Sequence, residues 1–510
     1  MMNMLSPQYL TLLIVTISTL FRVILAWKVG LGVDESYVVS VARTFSLSYF
    51  DHPPLHFWII WLTQQLTGSE NGLVLRLPFI GMFAATTWLM YRLGAKLFGE
   101  WSGVYAALIL NVSPVFSLST GSWILPDGPL FLALISAALV LVKLFFEPAA
   151  HSPYRWWVAA GLLTGLSMLA KYHALFLIFG TFIFLLTTKE RRGMLLSAGP
   201  YLAVGIAGIM FLPVLIWNQE HNWVSFLFQG GRGAPKGLSP WAMLGNIAGQ
   251  AAWILPWIWA PLVWILSKSI LAGPGNTLTN SSQNKQWFLC CLAIGPIAIF
   301  TTATLWGAQG LFHWQAPGYF WAIPLLGRAV AGWLDSNKRI TRTWLAASVT
   351  AFLLLVTILG SHTATGWLRQ FEPQWFNKGD PSTEALDWRE LPAYLATQGF
   401  ASQAQFVVAA NWIDAGKIDY ILGGQFPVLC LNNEPHHFAF LHNPADFQGK
   451  NALIMGRKQS IEKALLIYQP YFTSIEPVGT MSVTRAGIAE FAVGVFYAKG
   501  FTGTFPLPYR

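Results

Sequence analysis

Four short polar segments interrupt an otherwise apolar chain, and their residue types suit acid–base and phosphate chemistry. The segments contain Asp34-Glu35, Asp51-His52, Asp127 and Lys171-Tyr172. A carboxylate that neighbouring helices shield from water can act as a general base on a hydroxyl group. A lysine between two apolar helices can neutralise the phosphate of a lipid. Arg232 is a weaker candidate for the same cationic role.

Each segment also has an ordinary structural explanation. Acids that follow a membrane helix are commonly solvated loop residues, which would account for Asp34 and Glu35. Asp51 and Asp127 stand where helix-like runs begin, so either could cap a helix. Lys171 could extend its ammonium group from an apolar helix to the membrane surface. These alternatives stay open for each segment taken alone.

The composition shows which kind of molecule must position these residues. Of the 510 residues, 54% are hydrophobic and only 10% are charged. Soluble globular chains carry roughly 25% charged residues, so this chain needs a bilayer as its main solvent. The net charge of +9 comes from basic residues dispersed between apolar runs, which argues against a nucleic-acid partner. The three cysteines do not form a disulfide framework.

Apolar runs of about 20 residues predict membrane-spanning helices. We predict eleven spans, near residues 9–29, 72–94, 102–121, 128–146, 156–170, 173–188, 194–216, 241–267, 286–308, 316–333 and 343–361. The first run contains Arg22 and Lys28 and has no small-residue cleavage site. We therefore interpret it as a retained helix rather than a cleaved signal peptide.

The distribution of Lys and Arg predicts the orientation of these spans. With the N-terminus in the cytoplasm, most basic residues of the short loops face the cytoplasm, as the positive-inside rule requires. The chain is then a multi-pass protein of the inner (cytoplasmic) membrane, and residues 362–510 lie outside, in the periplasm of a Gram-negative cell. All four polar segments fall on the same outer side.

The apolar segment 53–68 is short for a span, and as a span it would reverse the charge bias downstream. We interpret it as a helix that lies in the outer membrane interface. The first outer loop then covers about residues 31–71 and carries both Asp34-Glu35 and Asp51-His52.

The C-terminal residues 362–510 differ from the membrane region, residues 1–361, because strand-like and helix-like runs alternate. Strands are predicted at 405–409, 452–455 and 489–496, and helices near 384–397, 411–422 and 459–468. This alternation indicates a small extracytoplasmic α/β domain. His436, His437 and His442 could suggest a metal site, but their spacing favours a polar surface loop.

The first-loop residues resemble a known family. Asp34-Glu35 followed by Tyr49-Phe50-Asp51-His52-Pro53-Pro54-Leu55 is similar to the first loop of bacterial GT-C glycosyltransferases, which are related to protein O-mannosyltransferases and to the lipid A aminoarabinose transferase. The resemblance continues through Arg76-Leu77-Pro78, Pro126-Asp127-Gly128-Pro129, Lys171-Tyr172 and His221-Asn222-Trp223. It covers most of residues 30–330 and implies a GT-C type polytopic α-helical fold.

The resemblance implies transfer of a sugar from a polyprenyl-phosphate carrier to a lipid, glycan or protein acceptor, with inversion. By position, Asp34 would be the general base or the carboxylate that orients the acceptor, with Glu35 beside it, and Asp127 would be a second-loop acid of the active site. Asp51 and His52 would shape the donor site, with Lys171 and Tyr172 at its phosphate. The charge of the phosphate needs cations, which Lys171 and Arg232 could supply.

Two features of the relatives leave parts of this site open. The aminoarabinose transferases have Glu-Lys-Pro-Pro where this chain has Asp51-His52-Pro53-Pro54. Any phosphate contact of that lysine must therefore come from another residue, such as His52 or Lys171. Relatives also differ in whether they need a metal, so no cofactor is predicted and a divalent metal stays possible.

Two other functions fit a chain of this composition. A lipid or sugar transporter, or flippase, would be expected to place polar residues near the midplane of several spans and to show internal repeats. Here the ionisable residues cluster at the outer edge and no clear repeat is found. A membrane anchor that presents the C-terminal domain to partners would leave the acids of the outer loops unexplained.

Overall fold

The structure is a computed structural model that describes residues 6–147, 153–275, 281–377, 379–399 and 402–509. The helices of the first half are α1 (Pro7–Lys28), α2 (Val33–Ala42), α3 (Leu55–Thr67), α4 (Gly72–Phe98), α5 (Glu100–Asn111), α6 (Asp127–Phe146), α7 (Pro153–Ala170), α8 (Leu175–Thr187), α9 (Ala198–Glu220) and α10 (Val224–Arg232). The later helices are α11 (Pro240–Ile254), α12 (Pro256–Ala272), α13 (Ser281–Leu305), α14 (Ala316–Ser336), α15 (Lys338–Thr365), α16 (Trp367–Phe371), α17 (Leu391–Gln398), α18 (Trp412–Ile421), α19 (Phe438–Leu441) and α20 (Lys458–Tyr468).

Several helices are long and apolar enough to cross a bilayer, and the chain is a multi-pass membrane protein. Within the described residues six helices meet this criterion, and the bent pair α11 and α12 could add a seventh. The six are α1, α4, α6, α9, α13 and α15. The total of eleven spans stays a prediction.

The ends of the helices follow from local sequence. The Ser6 hydroxyl accepts a hydrogen bond from the Tyr9 amide, and Pro7 occupies the first turn of α1, where its missing amide proton is not needed. Asn71 caps α4 by accepting from the Leu73 amide. Helix α3 ends at Gly68, whose φ of 62° is left-handed.

Two predicted spans are not continuous helices. The prediction of one helix over 241–267 is wrong, because α11 and α12 meet at an angle of 109°. Pro256 has no amide proton and disfavours a helical conformation at the preceding residue, and Leu255 has a φ of 78°. The span predicted at 102–121 is also interrupted, since α5 ends at Asn111 and a π-helical turn covers Val115–Thr120.

The first outer loop contains two helices rather than one. The interfacial helix predicted at 53–68 is confirmed as a helix, α3, but α2 was not predicted. In α2 every residue except Asp34 is buried. Because both sides of α2 are covered, its sequence lacks the one-sided apolar pattern by which a surface helix is recognised.

The C-terminal region contains a five-stranded mixed sheet in the order β2-β1-β3-β5-β4. Its strands are β1 (Phe406–Ala409), β2 (Val428–Cys430), β3 (Ala452–Arg457), β4 (Phe472–Arg485) and β5 (Ile488–Phe501). Strand β1 pairs in parallel with β2 and β3, whereas β5 pairs antiparallel with β3 and β4. The three predicted strands correspond to β1, β3 and β5, and β2 and β4 were missed.

The two faces of this sheet pack into different cores. Along β1, Val407 and Ala409 join a core that also contains Tyr37 and Phe57 of the first outer loop. Phe406 and Val408 point the opposite way, into a core made only of C-terminal residues. This alternation is the two-residue period of a strand. One face of the sheet is therefore packed on the first outer loop.

Helix α18 lies directly against α2. A Cβ atom placed on Gly416 would come within 2.9 Å of the backbone nitrogen of Tyr37, so only glycine allows this approach. Arg43 forms ion pairs with Glu70 at 2.6 Å and with Asp419 at 2.5 Å. These contacts hold the C-terminal region against the loop that carries the candidate site.

Candidate active site at the first outer loop

Asp34 is the one residue of α2 whose side chain is exposed. Within the described part of the chain, its carboxylate forms neither a hydrogen bond nor an ion pair. The surrounding protein nevertheless removes part of the water around the carboxyl group. This desolvation, together with the negative charges of Asp51, Glu35 and Glu384, raises the pKa of Asp34 to about 6. A free carboxylate with this pKa is suited to accept a proton near neutral pH.

The adjacent Glu35 is in a different situation. Its carboxylate forms a two-point ion pair with Arg76, at 2.7 Å to Nε and 2.5 Å to Nη2, and both side chains are at most 3% exposed. It also accepts the amides of Gly32 and Ile124, at 2.7 and 3.0 Å. Burial acts to raise the pKa of Glu35, but Arg76 outweighs it and lowers the pKa. Every oxygen of Glu35 is therefore occupied by protein donors.

Asp51 is buried and links the first outer loop to the C-terminal region. The Tyr37 hydroxyl donates to one carboxylate oxygen, and the His436 ring contacts the other through Nδ1. Gln229 of α10 donates to the backbone carbonyl of Asp51 at 2.5 Å. Burial acts to raise the pKa of Asp51, but His436, Tyr37 and His52 hold it below the usual value. Asp51 is therefore a carboxylate at neutral pH.

The prediction that His436, His437 and His442 belong to a polar surface loop is wrong for the first two. His437 is 3% exposed, and its Nδ1 accepts the amide of Phe50 at 3.1 Å. Burial lowers the pKa of His437 to about 3, so the ring is neutral. Sequence spacing could not show this, because 385 residues separate Asp51 from its partner His436.

Asp127 and Lys171 form an ion pair. The Lys171 ammonium lies 3.0 and 2.9 Å from the two carboxylate oxygens of Asp127, and both side chains are largely buried. Helix α6 begins at Asp127, as predicted, but its side chain does not cap the helix. Lys171 likewise does not extend into solvent, because it is only 6% exposed. The two ordinary structural explanations, cap and surface lysine, therefore do not apply.

Several histidine side chains lie within electrostatic range of this ion pair. The charges of Lys171 and Asp127 act on four of them, His52, His56, His173 and His313. Burial, reinforced by the Lys171 charge, lowers the pKa of His52 to about 4. Among the described residues, no hydrogen-bond partner reaches either ring nitrogen of His56 or Nε2 of His173, although these atoms are buried. Such unpaired polar atoms are uncommon in protein interiors.

The remaining predicted residues lie at the edge of this region. The Tyr172 hydroxyl is 2.9 Å from the hydroxyl of Ser225. Arg232 donates to Gln309 at 3.0 Å, and its guanidinium lies 4.8 Å from the centre of the Trp314 ring. An open groove of about 460 Å³ passes nearby and is lined by Asn222, Val224, Leu227, Phe228 and Tyr509.

The structure thus brings the predicted residues within electrostatic range of one another. Asp51 acts on both Asp34 and His52, and the Asp127 and Lys171 charges also act on His52. Among the described residues, no group of three His, Cys, Asp or Glu side chains is placed to hold a metal ion. Sequence reasoning missed Tyr37, His56, His313 and the pair His436-His437.

Comparison with known proteins gives one family model and one informative relative. Residues 51–217 match the family described as dolichyl-phosphate-mannose-protein mannosyltransferase. The chain is also similar to the lipid A galacturonosyltransferase RgtD of Rhizobium johnstonii, with 25% identity over 338 residues. That alignment covers 63% of this chain and 65% of the relative, which is slightly less than two thirds of its length.

Solved structures share the fold. ArnT from Cupriavidus metallidurans, determined with undecaprenyl phosphate bound, superimposes with a TM-score of 0.63 at 14% identity, over 95% of this chain and 97% of that chain. The archaeal oligosaccharyltransferase AglB from Archaeoglobus fulgidus superimposes with a TM-score of 0.50 at 12% identity, over 98% and 75% of the two chains.

Proposed function

We propose that this chain, a membrane glycosyltransferase of the GT-C superfamily, transfers a sugar from a polyprenyl-phosphate carrier to an acceptor of the cell envelope. The reaction takes place at the outer face of the inner membrane, with inversion at the anomeric carbon. The observation that carries the proposal is the state of Asp34, a solvent-facing carboxylate whose pKa is raised to about 6. It stands within electrostatic range of Asp51 and of the cation Arg232.

The residues divide into a base and a group that binds phosphate. Asp34 removes the proton of the acceptor hydroxyl, and the hydroxyl oxygen attacks the anomeric carbon from the face opposite the leaving phosphate. The bond to the carrier phosphate breaks and the phosphate leaves with the electron pair. Lys171, His52 and Arg232 stabilise that phosphate by charge and hydrogen bonds, with Tyr172 at the edge of the site.

Asp127 and Glu35 act on other protein groups. Asp127 holds the Lys171 ammonium in place, at 2.9 Å. Glu35 and Arg76 fix the start of α2, so Glu35 positions Asp34 rather than reacting itself. The unpaired nitrogens of His56 and His173 support a polar ligand near Asp127 and Lys171, because buried polar groups are normally hydrogen-bonded.

The proposed topology places this site outside the cytoplasm. Residues 1–361 form a membrane domain of eleven spans, with the N-terminus in the cytoplasm. Residues 362–510 form an α/β domain in the periplasm, in contact with the first outer loop. The proposal is supported by the distribution of basic residues and by the packing of the C-terminal sheet on that loop.

The similarity to a lipid A galacturonosyltransferase directs the choice of substrates. Lipid A is the first acceptor to test, followed by core lipopolysaccharide, other surface glycans and protein. Galacturonic acid, mannose and aminoarabinose linked to polyprenyl phosphate are the first donors to test.

The decisive experiment measures transfer of radiolabelled sugar by the purified, detergent-solubilised protein. Each polyprenyl-phosphate donor is incubated with cell-envelope fractions, and wild type is compared with Asp34→Asn. Asp335→Asn is the matched control, because this exposed aspartate lies at the C-terminal end of the 21-residue helix α14. Label in an acceptor with wild type and Asp335→Asn, but not with Asp34→Asn, supports the enzyme. Absence of transfer from every donor by folded wild type would refute it and favour a lipid or sugar transporter.

A further inference from the structure

His436 is held in an unusual backbone conformation between aromatic rings. Its φ is +52°, which is left-handed and uncommon for residues other than glycine, although histidine adopts it more often than most. Its ring lies 4.6 Å from that of Trp412, 5.6 Å from Phe228 and 6.0 Å from Tyr37, measured between ring centres. The three rings come from α18, α10 and α2. Such strain persists only where the surroundings fix it, and it often marks functional sites.

The hydrogen bonds around Asp51 fix the direction of every donor. A carboxylate can only accept, so Nδ1 of His436 and the hydroxyl of Tyr37 both donate to Asp51. The Tyr37 oxygen in turn accepts the backbone amide of His437 at 3.0 Å. Nδ1 of His437 accepts the amide of Phe50. Two consecutive residues of the C-terminal region thereby hold Phe50 and Asp51 from both sides.

We propose that His436 is a positioning residue of the transferase, through which the C-terminal region completes the active site by orienting Asp51 beside Asp34. The inference rests on the proposed function and extends it. It assigns to the C-terminal region a direct part in the reaction rather than the selection of an acceptor alone. It also predicts that the membrane region without residues 362–510 has the catalytic acids but holds them in the wrong geometry.

The electrostatic surroundings of Asp34 indicate what the removal of His436 does. The charged groups that act on Asp34 are Glu35 of α2, Asp51 of the first outer loop, Glu384 before α17 and His436, and Asp34 in turn acts on Arg232 of α10. Tyr37, His52 and Tyr509 interact with Asp51. Asp51 raises the pKa of Asp34, whereas His436 lowers it. Removal of the imidazole should therefore move the deprotonation of Asp34 to higher pH.

The test uses two substitutions that both tolerate a left-handed backbone. His436→Asn keeps an N–H donor near the position of Nδ1, and His436→Gly removes the donor. In the full-length protein, we expect His436→Gly to lower kcat/KM about 100-fold, the size of effect that misplaced reacting groups produce. The acidic limb of its pH profile should move to higher pH, and His436→Asn should recover most of the activity. His442→Gly is the control, because its ring lies beside Phe447 of the same region, at 6.0 Å.

A double-mutant cycle with Asp51→Asn separates positioning from a general loss of structure. If His436 acts through Asp51, His436→Gly should have little further effect on kcat/KM when Asp51→Asn is already present. The inference is overturned if the losses in kcat/KM of the two substitutions are additive, if the pH profile of His436→Gly is unchanged, or if His436→Gly has wild-type activity. Each of these outcomes leaves the proposed transferase activity intact. A folded wild type that transfers no sugar would instead overturn the proposed function, and the positioning role with it. The melting temperatures of wild type, the two single variants and the double variant test the contact between His436 and Asp51. The changes in melting temperature should also be non-additive.

Discussion

Asp34 and Glu35 are neighbours in the chain but have opposite environments. Successive helical residues point about 100° apart, so one side chain of α2 can face solvent while the next faces the interior. Glu35 is 2% exposed and saturated by Arg76, Gly32 and Ile124, whereas Asp34 is exposed and makes no such contact among the described residues. In the proposed reaction, Asp34 is therefore the residue that reacts, and Glu35 supports the backbone of α2.

The pH dependence of transfer should follow the ionisation of Asp34. A general base works only when deprotonated, so kcat/KM should fall as the pH drops through the Asp34 pKa of about 6. Asp34→Asn should lower kcat/KM by about 100- to 10,000-fold. The measurement is the initial rate of sugar transfer at low substrate concentration across the pH range. A limb near pH 4, where an ordinary carboxylate ionises (about 3.9), would contradict this role of Asp34.

At the scale of the element, α2 is a short helix that is covered from both sides. Arg76 of α4 donates to the carbonyl oxygens of Ala26, Val29 and Gly30, at 3.2, 2.7 and 2.8 Å, as well as to Glu35. One guanidinium thereby joins the end of α1, the connecting residues and the first turn of α2. The position of Asp34 above the membrane region depends on this junction.

Loss of the Glu35 charge should destabilise the protein strongly. In Glu35→Gln the Arg76 guanidinium stays buried without its counter-charge, which costs about 3–5 kcal/mol of unfolding free energy. The measurement is the denaturant midpoint of the detergent-solubilised protein. Glu147→Gln removes the partner of Lys96 in an exposed pair, and should cost at most about 1 kcal/mol. Equal effects of the two substitutions would show that Glu35 and Arg76 are not a buried pair in solution.

At the scale of the whole molecule, the C-terminal region is packed into the membrane region's outer surface. The core that joins them contains Leu31, Tyr37 and Phe79 from the first half and Trp388, Val407 and Val495 from the C-terminal half. The Lys417 ammonium donates to the carbonyl oxygen of Leu31, and both residues are buried. The site is therefore assembled from two parts of the chain that are almost 400 residues apart.

A single methyl group added at Gly416 should loosen the contact between α18 and α2. Ala is favoured over Gly inside a helix by about 1 kcal/mol, but a Cβ atom on Gly416 would lie 2.9 Å from the Tyr37 backbone. We expect Gly416→Ala to lower stability by about 1–3 kcal/mol, as overpacking does, and to reduce transfer because α2 shifts with Asp34.

Gly245→Ala is the control for the helix effect itself, because a Cβ atom at this position of α11 meets no atom within 4 Å. This substitution should be neutral or stabilising in the same thermal unfolding experiment. If Gly416→Ala were equally harmless, α18 would not lie against α2 as closely as the structure shows.

Properties that depend on local pattern and composition can be predicted from the residues alone. Long apolar runs predicted a multi-pass helical protein, because a buried backbone in lipid must satisfy its own hydrogen bonds. The helix at 53–68, the helix start at Asp127 and the strands near 406, 452 and 488 follow from short-range periodicity and turn residues. The residues of the first-loop motif indicated the superfamily and most of the candidate residues.

The environment of each candidate residue, in contrast, depends on the folded chain. Contacts between distant segments pair Glu35 with Arg76 and Asp127 with Lys171, and they place His436 at Asp51. The exposure of Asp34 likewise depends on how its neighbours pack. The burial of α2 also depends on neighbours that no local pattern reveals. Titration and burial are properties of a side chain's surroundings, and those surroundings exist only after distant segments pack together. For Asp51, the packing of the C-terminal region supplies His436.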